Sequence, residues 1–279
     1  MRFDSRLPDD AVNVSPTHPA REALTLVAGV AVGVMALVVV LAIAIEAVIP
    51  WIPPSFEARI FSNRWLASAR NTDADRQAPE LDDLLARLAV HWADNPYDLH
   101  IVAIDDPTPN AFAFPGGWIG VTTGLLDSVE SENELAFVVA HEIGHFRDRD
   151  HLRGIGRGLA FALAMSALGL TTTNAAMRVA TISGDLTARA FDRSQESRAD
   201  RFALAVVAAE YGHIGGAMDF LTRLPRPEDG AHDGIRHYFS THPLGEKRTD
   251  ALRLWVRENG WPDEGPLRPW SGRAFGSAE

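Results

Sequence analysis

The chain has 279 residues, no cysteine and a formal net charge of −11. Without cysteine it can hold neither a disulfide nor a thiolate metal site. Its acidity disfavours nucleic acid and anionic lipid as partners.

Residues 1–22 form a polar tail. From Ala23 to Ile45 no residue is charged, and the run is bounded by Arg21-Glu22 and Glu46. About 20 apolar residues cross a bilayer, and the glycines at 29 and 33 are tolerated in membrane helices. A cleavable signal peptide with Ala42-Ile43-Ala44 as processing site is the alternative, but its apolar core would be unusually long. The expectation is an uncleaved, single-pass transmembrane anchor over 23–49. Arg2, Arg6 and Arg21 on one side balance Arg59 and Arg64 on the other, so the positive-inside rule barely orients it. The short N-terminal tail favours an N-in anchor in a bacterial-type inner membrane, with the remainder in the periplasm. Pro50, Pro53 and Pro54 make a stiff exit, so 50–79 reads as a linker with a juxtamembrane helix from Phe56 to Ala69.

The next unit, 80–259, is of ordinary size for one domain. Glu80 to Trp92 has helical periodicity, and Leu99 to Ile104 and Trp118 to Thr122 read as short strands. Between them Asn110, Ala111, Phe112 and Ala113 begin an extended edge segment ending at Phe114. Such an edge can pair with an extended peptide, or it can be ordinary sheet closed by a Pro115-Gly116-Gly117 turn. The residues alone leave both open.

Ser131-Glu132-Asn133-Glu134 fits a capping box, with Ser131 as cap and Glu134 reaching back. The helix it starts carries an apolar stripe of Leu135, Val139, Ile143 and Phe146, and on another face His141-Glu142-Ile143-Gly144-His145. Two imidazoles one turn apart can reach one zinc ion, and Glu142 then faces a metal-bound water as general base. A third ligand is required. His151 imitates the metzincin pattern, but Asp148 stands where that pattern needs glycine to turn the chain, and His151 reads by default as an exposed residue near the helix end. Glu196 lies in Arg193-Ser194-Gln195-Glu196-Ser197-Arg198-Ala199-Asp200-Arg201, ahead of an apolar face of Phe202, Ala203, Val206 and Val207 and a stop at Gly212. Glu196 and Asp200 then sit one turn apart on a second helix, as ligand and partner of a ligand histidine. By composition alone the surrounding Arg193, Arg198 and Arg201 favour a solvated salt-bridge face instead.

Gly158 to Met177 is also uncharged. Because His145 and Glu196 must meet at one metal and 178–195 is too polar to return through a bilayer, the stretch is expected as a buried or membrane-apposed helix covering the site. His242 precedes Pro243, which biases it to extended geometry. Residues 260–279, rich in Gly, Pro and Trp, form a packed extension or a tail.

Asn110-Ala111-Phe112-Ala113-Phe114-Pro115-Gly116-Gly117, the His141-Glu142-Ile143-Gly144-His145 helix, Gln195-Glu196-x-x-Ala199-Asp200 and Thr241-His242-Pro243 occur in this order. Together they resemble the zinc metallopeptidase family of the HtpX heat-shock proteases, the CAAX prenyl endopeptidases and the Oma- and BepA-type quality-control proteases. The resemblance implies an α+β, mostly helical gluzincin-like domain with a small sheet beside the HExxH helix. It implies one Zn2+ held by His141, His145 and Glu196, with Asp200 supporting a ligand histidine. It favours substrate pairing at the edge strand, and it places His242 near the zinc, assisting the transition state or occupying the open position at rest. Arg248 is a weaker oxyanion candidate. The expected function is a membrane-anchored zinc metalloendopeptidase acting on proteins or peptides in quality control. The alternatives are a zinc-containing chaperone or assembly factor of the same fold, and a membrane scaffold whose motif is fortuitous.

Overall fold

Thirty residues, Pro19–Val48, form one helix, α1, whose first turn uses Pro19 where a backbone N–H would have no partner. At about 1.5 Å per residue it is roughly 45 Å long, more than the ~30 Å hydrocarbon layer of a bilayer. None of its residues is buried. Leu24, Val32 and Ile43 are more than 60 % exposed, an arrangement that is costly in water and favourable in lipid. Among the described residues it is the one helix long and apolar enough to cross a membrane. The computed structural model describes residues 18–61, 79–167, 193–217, 219, 242 and 246–270.

A 3-10 turn, Ile49–Trp51, leads out of α1, and Pro53 in extended conformation caps α2, Pro54–Ile60. The juxtamembrane helix is thus shorter than expected, and its anticipated continuation over 62–69 lies outside the described residues. Further on come α3 (Pro79–Ala89), β1 (His100–Ile104), β2 (Ala111–Phe114), β3 (Trp118–Thr122) and α4 (Thr123–Ser128). They are followed by α5 (Glu132–Arg147), α6 (Asp150–Ala167), α7 (Arg193–Tyr211) and α8 (Glu246–Asn259). The protein is mostly helical with one small sheet. In α3 the leucines at 81, 84, 85 and 88 recur at helical spacing, and all four are buried against the main core.

The sheet has the order β1-β3-β2, with β1 parallel and β2 antiparallel to β3. The β2–β3 turn uses Gly116 and Gly117 at φ 88° and 89°, and a Cβ at Gly117 would fall 2.2 Å from the carbonyl oxygen of Asp98. Only glycine fits there. Thr122 N donates to the carbonyl of Asn110, just before β2. Hydrogen-bonded pairs alternate along an antiparallel ladder, so from Asn110 the residues bonded to β3 are Phe112 and Phe114. The main-chain groups of Ala111 and Ala113 therefore point to the other side of β2, which faces no strand among the described residues.

Ser131 caps α5 by accepting the N–H of Glu134 at 3.3 Å, and Glu134 accepts the N–H of Glu130 at 2.9 Å. The clasp reaches one residue further back than the capping box predicts. From Asn133 to Phe146 every α5 residue is buried, including the stripe of Leu135, Val139, Ile143 and Phe146. Helix α7 packs on α5 so closely that a Cβ at Gly144 would lie 2.9 Å from the Cα of Ala199. Apolar Phe202, Ala203, Val206 and Val207 join the same core. Helix α7 ends as expected at Gly212, with φ 78°.

Helix α6 packs along α1. Arg153 pairs with Glu46 at 2.7 Å, and a Cβ at Gly156 would meet the Ile45 side chain at 2.3 Å, so the start of α6 lies beside the end of α1. Residues 158–167 of the second uncharged stretch continue this helix, and 168–177 lie outside the described residues. At the other end of the chain, Arg268 accepts the N–H of Glu132 and donates its own N–H to Asn133. With Trp270 buried beside it, the extension to residue 270 packs on the first turn of α5.

Candidate active site

Helix periodicity brings His141 and His145 to one face of α5, with their Nε2 atoms 3.1 Å apart. From α7, Glu196 sets Oε2 3.5 Å from His141 Nε2 and Oε1 3.5 Å from His145 Nε2. His242 adds Nδ1 at 3.2 Å from His141 Nε2 and 3.1 Å from Glu196 Oε1. All four residues are buried, and their ligand atoms lie within 4.8 Å of one another. Four atoms placed at zinc–nitrogen distance in a tetrahedron are about 3.3–3.4 Å apart, so the spacing found here suits one tetrahedrally bound ion.

Glu142 is fully buried, yet neither carboxylate oxygen has a hydrogen-bond partner among the described residues. Burying a carboxylate without a hydrogen bond is costly, so these oxygens call for a further donor, a role that a water on a bound metal would fill. His242 Nε2 lies 3.5 Å from Glu142 Oε1.

Each helix histidine has its other ring nitrogen held by a carboxylate. His141 Nδ1 meets Asp200 Oδ1 at 3.0 Å, and His145 Nδ1 meets Asp150 Oδ2 at 3.1 Å. Such partners choose the tautomer and the ring plane, leaving Nε2 free for a metal. Asp200 accepts two hydrogen bonds from Arg248, whose Nη1 also lies 2.6 Å from Glu196 Oε2. Arg248, considered above for an oxyanion, therefore directs its guanidinium at the two α7 carboxylates. Asp150 accepts a hydrogen bond from Gln195 Nε2 at 2.7 Å. Neither Asp150 nor Gln195 has a role in the sequence reading. The signal that points to Asp150 is the general need of a second ligand histidine for its own acidic partner.

Two expectations are corrected. His151 is buried, not exposed: its Nε2 lies 3.0 Å from Glu57 Oε2, and its ring packs on Phe146. The cause is a sharp reversal one residue after Asp148, where Arg149 adopts φ 57° and donates to the carbonyls of Ile49 and Ile52. That turn starts α6 and drives His151 inward, outside the ligand group. Nor do Glu196 and Asp200 form a solvated salt-bridge face, since both are fully buried. Arg198 instead turns towards Asp148 and Asp150.

Charge in the site follows from these contacts. Burial works against a charge on His141, but the hydrogen bonds to Asp200 and Glu196 outweigh it and push the metal-free imidazole up to about 10. Burial likewise opposes ionisation of Glu196 and Asp200. His242 and His141 nonetheless hold Glu196 well below the ordinary carboxylate range, and Arg248 and His141 lower Asp200.

The model of peptidase family M48 matches residues 75–256. Among curated proteins, a "Putative beta-barrel assembly-enhancing protease" of Vibrio cholerae is 30 % identical over 223 residues, covering 71 % of this chain and 44 % of the relative. Mitochondrial metalloendopeptidase OMA1 of Arabidopsis thaliana is 29 % identical over 202 residues, 71 % of this chain and 38 % of the relative. A protease HtpX homolog of Salinibacter ruber is 29 % identical over 252 residues, 79 % of this chain and 87 % of the relative. The chain thus spans less than half the length of the first two.

Proposed function

The chain belongs to peptidase family M48, and from that premise we propose that it is a zinc-dependent metalloendopeptidase anchored in a membrane by α1. The observation that carries this reading is the meeting of His141 and His145 on α5 with Glu196 on α7, at the spacing a tetrahedral ion requires, beside a buried Glu142 whose oxygens accept no hydrogen bond among the described residues. Two imidazoles and a carboxylate are a donor set suited to catalytic zinc. Zinc held there would supply a Lewis acid that polarises a carbonyl and makes a water acidic enough to lose a proton near neutral pH.

The protein's own groups do the rest. Glu142 takes the water's proton and passes it to the departing amine. Asp200 and Asp150 hold the ligand rings in register, and Arg248 ties Glu196 to Asp200. His242 fills the fourth corner of the ligand group, the position a catalytic site keeps for water, so turnover requires it to swing away. Its Nε2 faces Glu142 at 3.5 Å, and a role for the displaced imidazole in stabilising transition-state charge is part of the same proposal.

The substrate is a polypeptide in extended form. The outward main-chain groups of Ala111 and Ala113 on β2 would pair with its backbone, and β2 packs against α5, which sets the peptide beside the metal face. Pairing through the main chain gives affinity with little sequence preference, appropriate to misfolded or membrane-associated proteins near the bilayer. Placement in a bacterial-type inner membrane, with the catalytic unit in the periplasm, is part of the same proposal.

The test uses purified full-length protein. Glu142→Gln should retain about one zinc per chain while hydrolysis of an unfolded casein substrate falls by about 10²- to 10⁴-fold. Unchanged hydrolysis in that variant, or zinc retained in both His141→Ala and Glu196→Ala, would overturn the reading.

A further inference from the structure

We propose that the cleft at the foot of α1 binds the phosphate of an anionic phospholipid headgroup. This rests on the reading of α1 as a membrane anchor and is independent of the peptidase chemistry. The cleft has a volume of about 650 Å³. Ile49 and Pro50, where the apolar run of α1 ends, form one side of it. Arg147, Arg149, Arg153 and Arg198 line the rest, against a single lining acid, Asp148.

In a chain of net charge −11 the cleft is locally close to neutral, because the four guanidiniums stand against Glu46, Glu57, Asp148 and Asp150. The overall charge predicts poor attraction to anionic lipid, but a headgroup responds to charges within a Debye length, about 8 Å at physiological salt. Within that range lie four guanidiniums and four carboxylates, and Arg147 is the guanidinium that no carboxylate engages among the described residues.

The four differ in how far they are engaged. Arg149 is directed at the carbonyls of Ile49 and Ile52 and at Glu57. Arg153 pairs with Glu46 and approaches Asp150, while Arg198 pairs with Asp148 and reaches Asp150 at 3.6 Å. Both keep solvent access, with side chains 25 % and 47 % exposed. Arg147 is exposed, lies 5.1 Å over the ring of Phe202, and has no ion pair among the described residues. A guanidinium fork binds phosphate oxygens in pairs and is weakly hydrated, which suits a headgroup layer.

The neighbouring surface distinguishes a lipid from a free anion. Ile43 and Val48 are exposed on α1, which leads into the cleft's Ile49, and such apolar helix surface suits acyl chains. Trp51, 85 % exposed, stands at the helix exit, where tryptophan favours the membrane–water interface.

The experiment titrates the full chain in neutral detergent, at near-physiological salt, with dioctanoyl phosphatidylglycerol, dioctanoyl phosphatidylcholine or inorganic phosphate, counting adducts by native mass spectrometry. Phosphatidylglycerol should bind saturably at one per chain, at least about tenfold more tightly than the other two probes. Arg147→Gln should weaken it about fivefold, and Arg147→Gln combined with Arg153→Gln roughly 25-fold. Glu142→Gln should leave it unchanged, which separates this proposal from the peptidase reading. Equal binding of phosphatidylglycerol and phosphatidylcholine, or undiminished binding by the double variant, would overturn the site. Inorganic phosphate binding as tightly as phosphatidylglycerol would overturn its assignment to lipid. Thermal unfolding of each variant, matched to the parent, shows that the fold is intact.

Discussion

His145 and Asp150 face each other across the turn that ends α5, with Nδ1 and Oδ2 3.1 Å apart and both residues fully buried. The pair lets a chain reversal fix the plane of a ligand ring. Asp150→Asn keeps the shape but removes the charge that favours Nδ1–H, so zinc affinity, measured by chelator competition, should fall about 10- to 100-fold. Unaltered affinity would show that the ring is held by packing alone.

The close crossing of α5 and α7 gives a second expectation. Gly144→Ala drives a Cβ to 2.9 Å from backbone at Ala199, and overpacking of this kind costs about 1–3 kcal/mol. Because the same crossing brings Glu196 to the histidines, the metal should be bound more weakly as the melting temperature drops. Gly154→Ala is the control. Nothing lies within 4 Å of a Cβ there, and alanine at a helix interior should be neutral or stabilising by up to about 1 kcal/mol.

Metal binding should depend on pH in a defined direction. With its metal-free imidazole raised to about 10, His141 carries a proton at neutral pH that the ion must displace. Zinc affinity should therefore climb with pH between 6.5 and 8.5, by about tenfold per unit from this proton alone. Stability of the metal-free protein runs the opposite way. A raised value stabilises fully below the unfolded 6.5 and is lost as pH rises towards about 10. Denaturant midpoints of chelator-treated protein across that range check the sign.

Glu57 offers an acid-side test. Burial opposes its charge, yet His151, Tyr97 and Arg149 hold it below 4.5. The unfolded chain thus takes up this proton more readily than the folded one. The contribution is complete above 4.5 and fades as pH falls through the lower folded value. Glu57→Gln should unfold at lower urea than the parent at pH 6, and the gap between them should narrow below pH 4.

On the edge strand, Ala113→Pro removes an outward N–H without touching the bonds to β3, whereas Phe112→Pro removes one of those bonds. Loss of one main-chain hydrogen bond to an extended substrate should lower kcat/KM about 3- to 10-fold, chiefly through KM. The melting temperature of Ala113→Pro should stay near the parent's, while that of Phe112→Pro should drop. Full activity in Ala113→Pro would remove β2 from substrate binding.

Much of this architecture is legible locally. Ser131 announces the start of α5, the leucines of α3 keep helical spacing, and the strands fall within a residue of their expected bounds. What escapes is set by distant contacts. The reversal after α5 uses an arginine at φ 57°, held by two carbonyls of the α1 exit, so no glycine marks it. With the reversal hidden, Asp150 and His151 look like a solvated helix end. Glu57 looks like one charge on an amphipathic helix until Tyr97, Arg149 and His151 close around it. Resemblance at Gln195-Glu196 supplies the third expected ligand, where composition alone favours a surface salt-bridge face.

The enclosure of Glu57 bears on where the chain can be cut to make a form without its membrane helix. A fragment trimmed to begin at residue 80 would strip a buried acid from Tyr97 and His151 and remove Ile49, itself 2 % exposed. It would also leave Arg149 without the carbonyls that hold its left-handed backbone. The practical cut lies within α1, ahead of Glu46, so that the whole exit segment travels with the hydrolytic core.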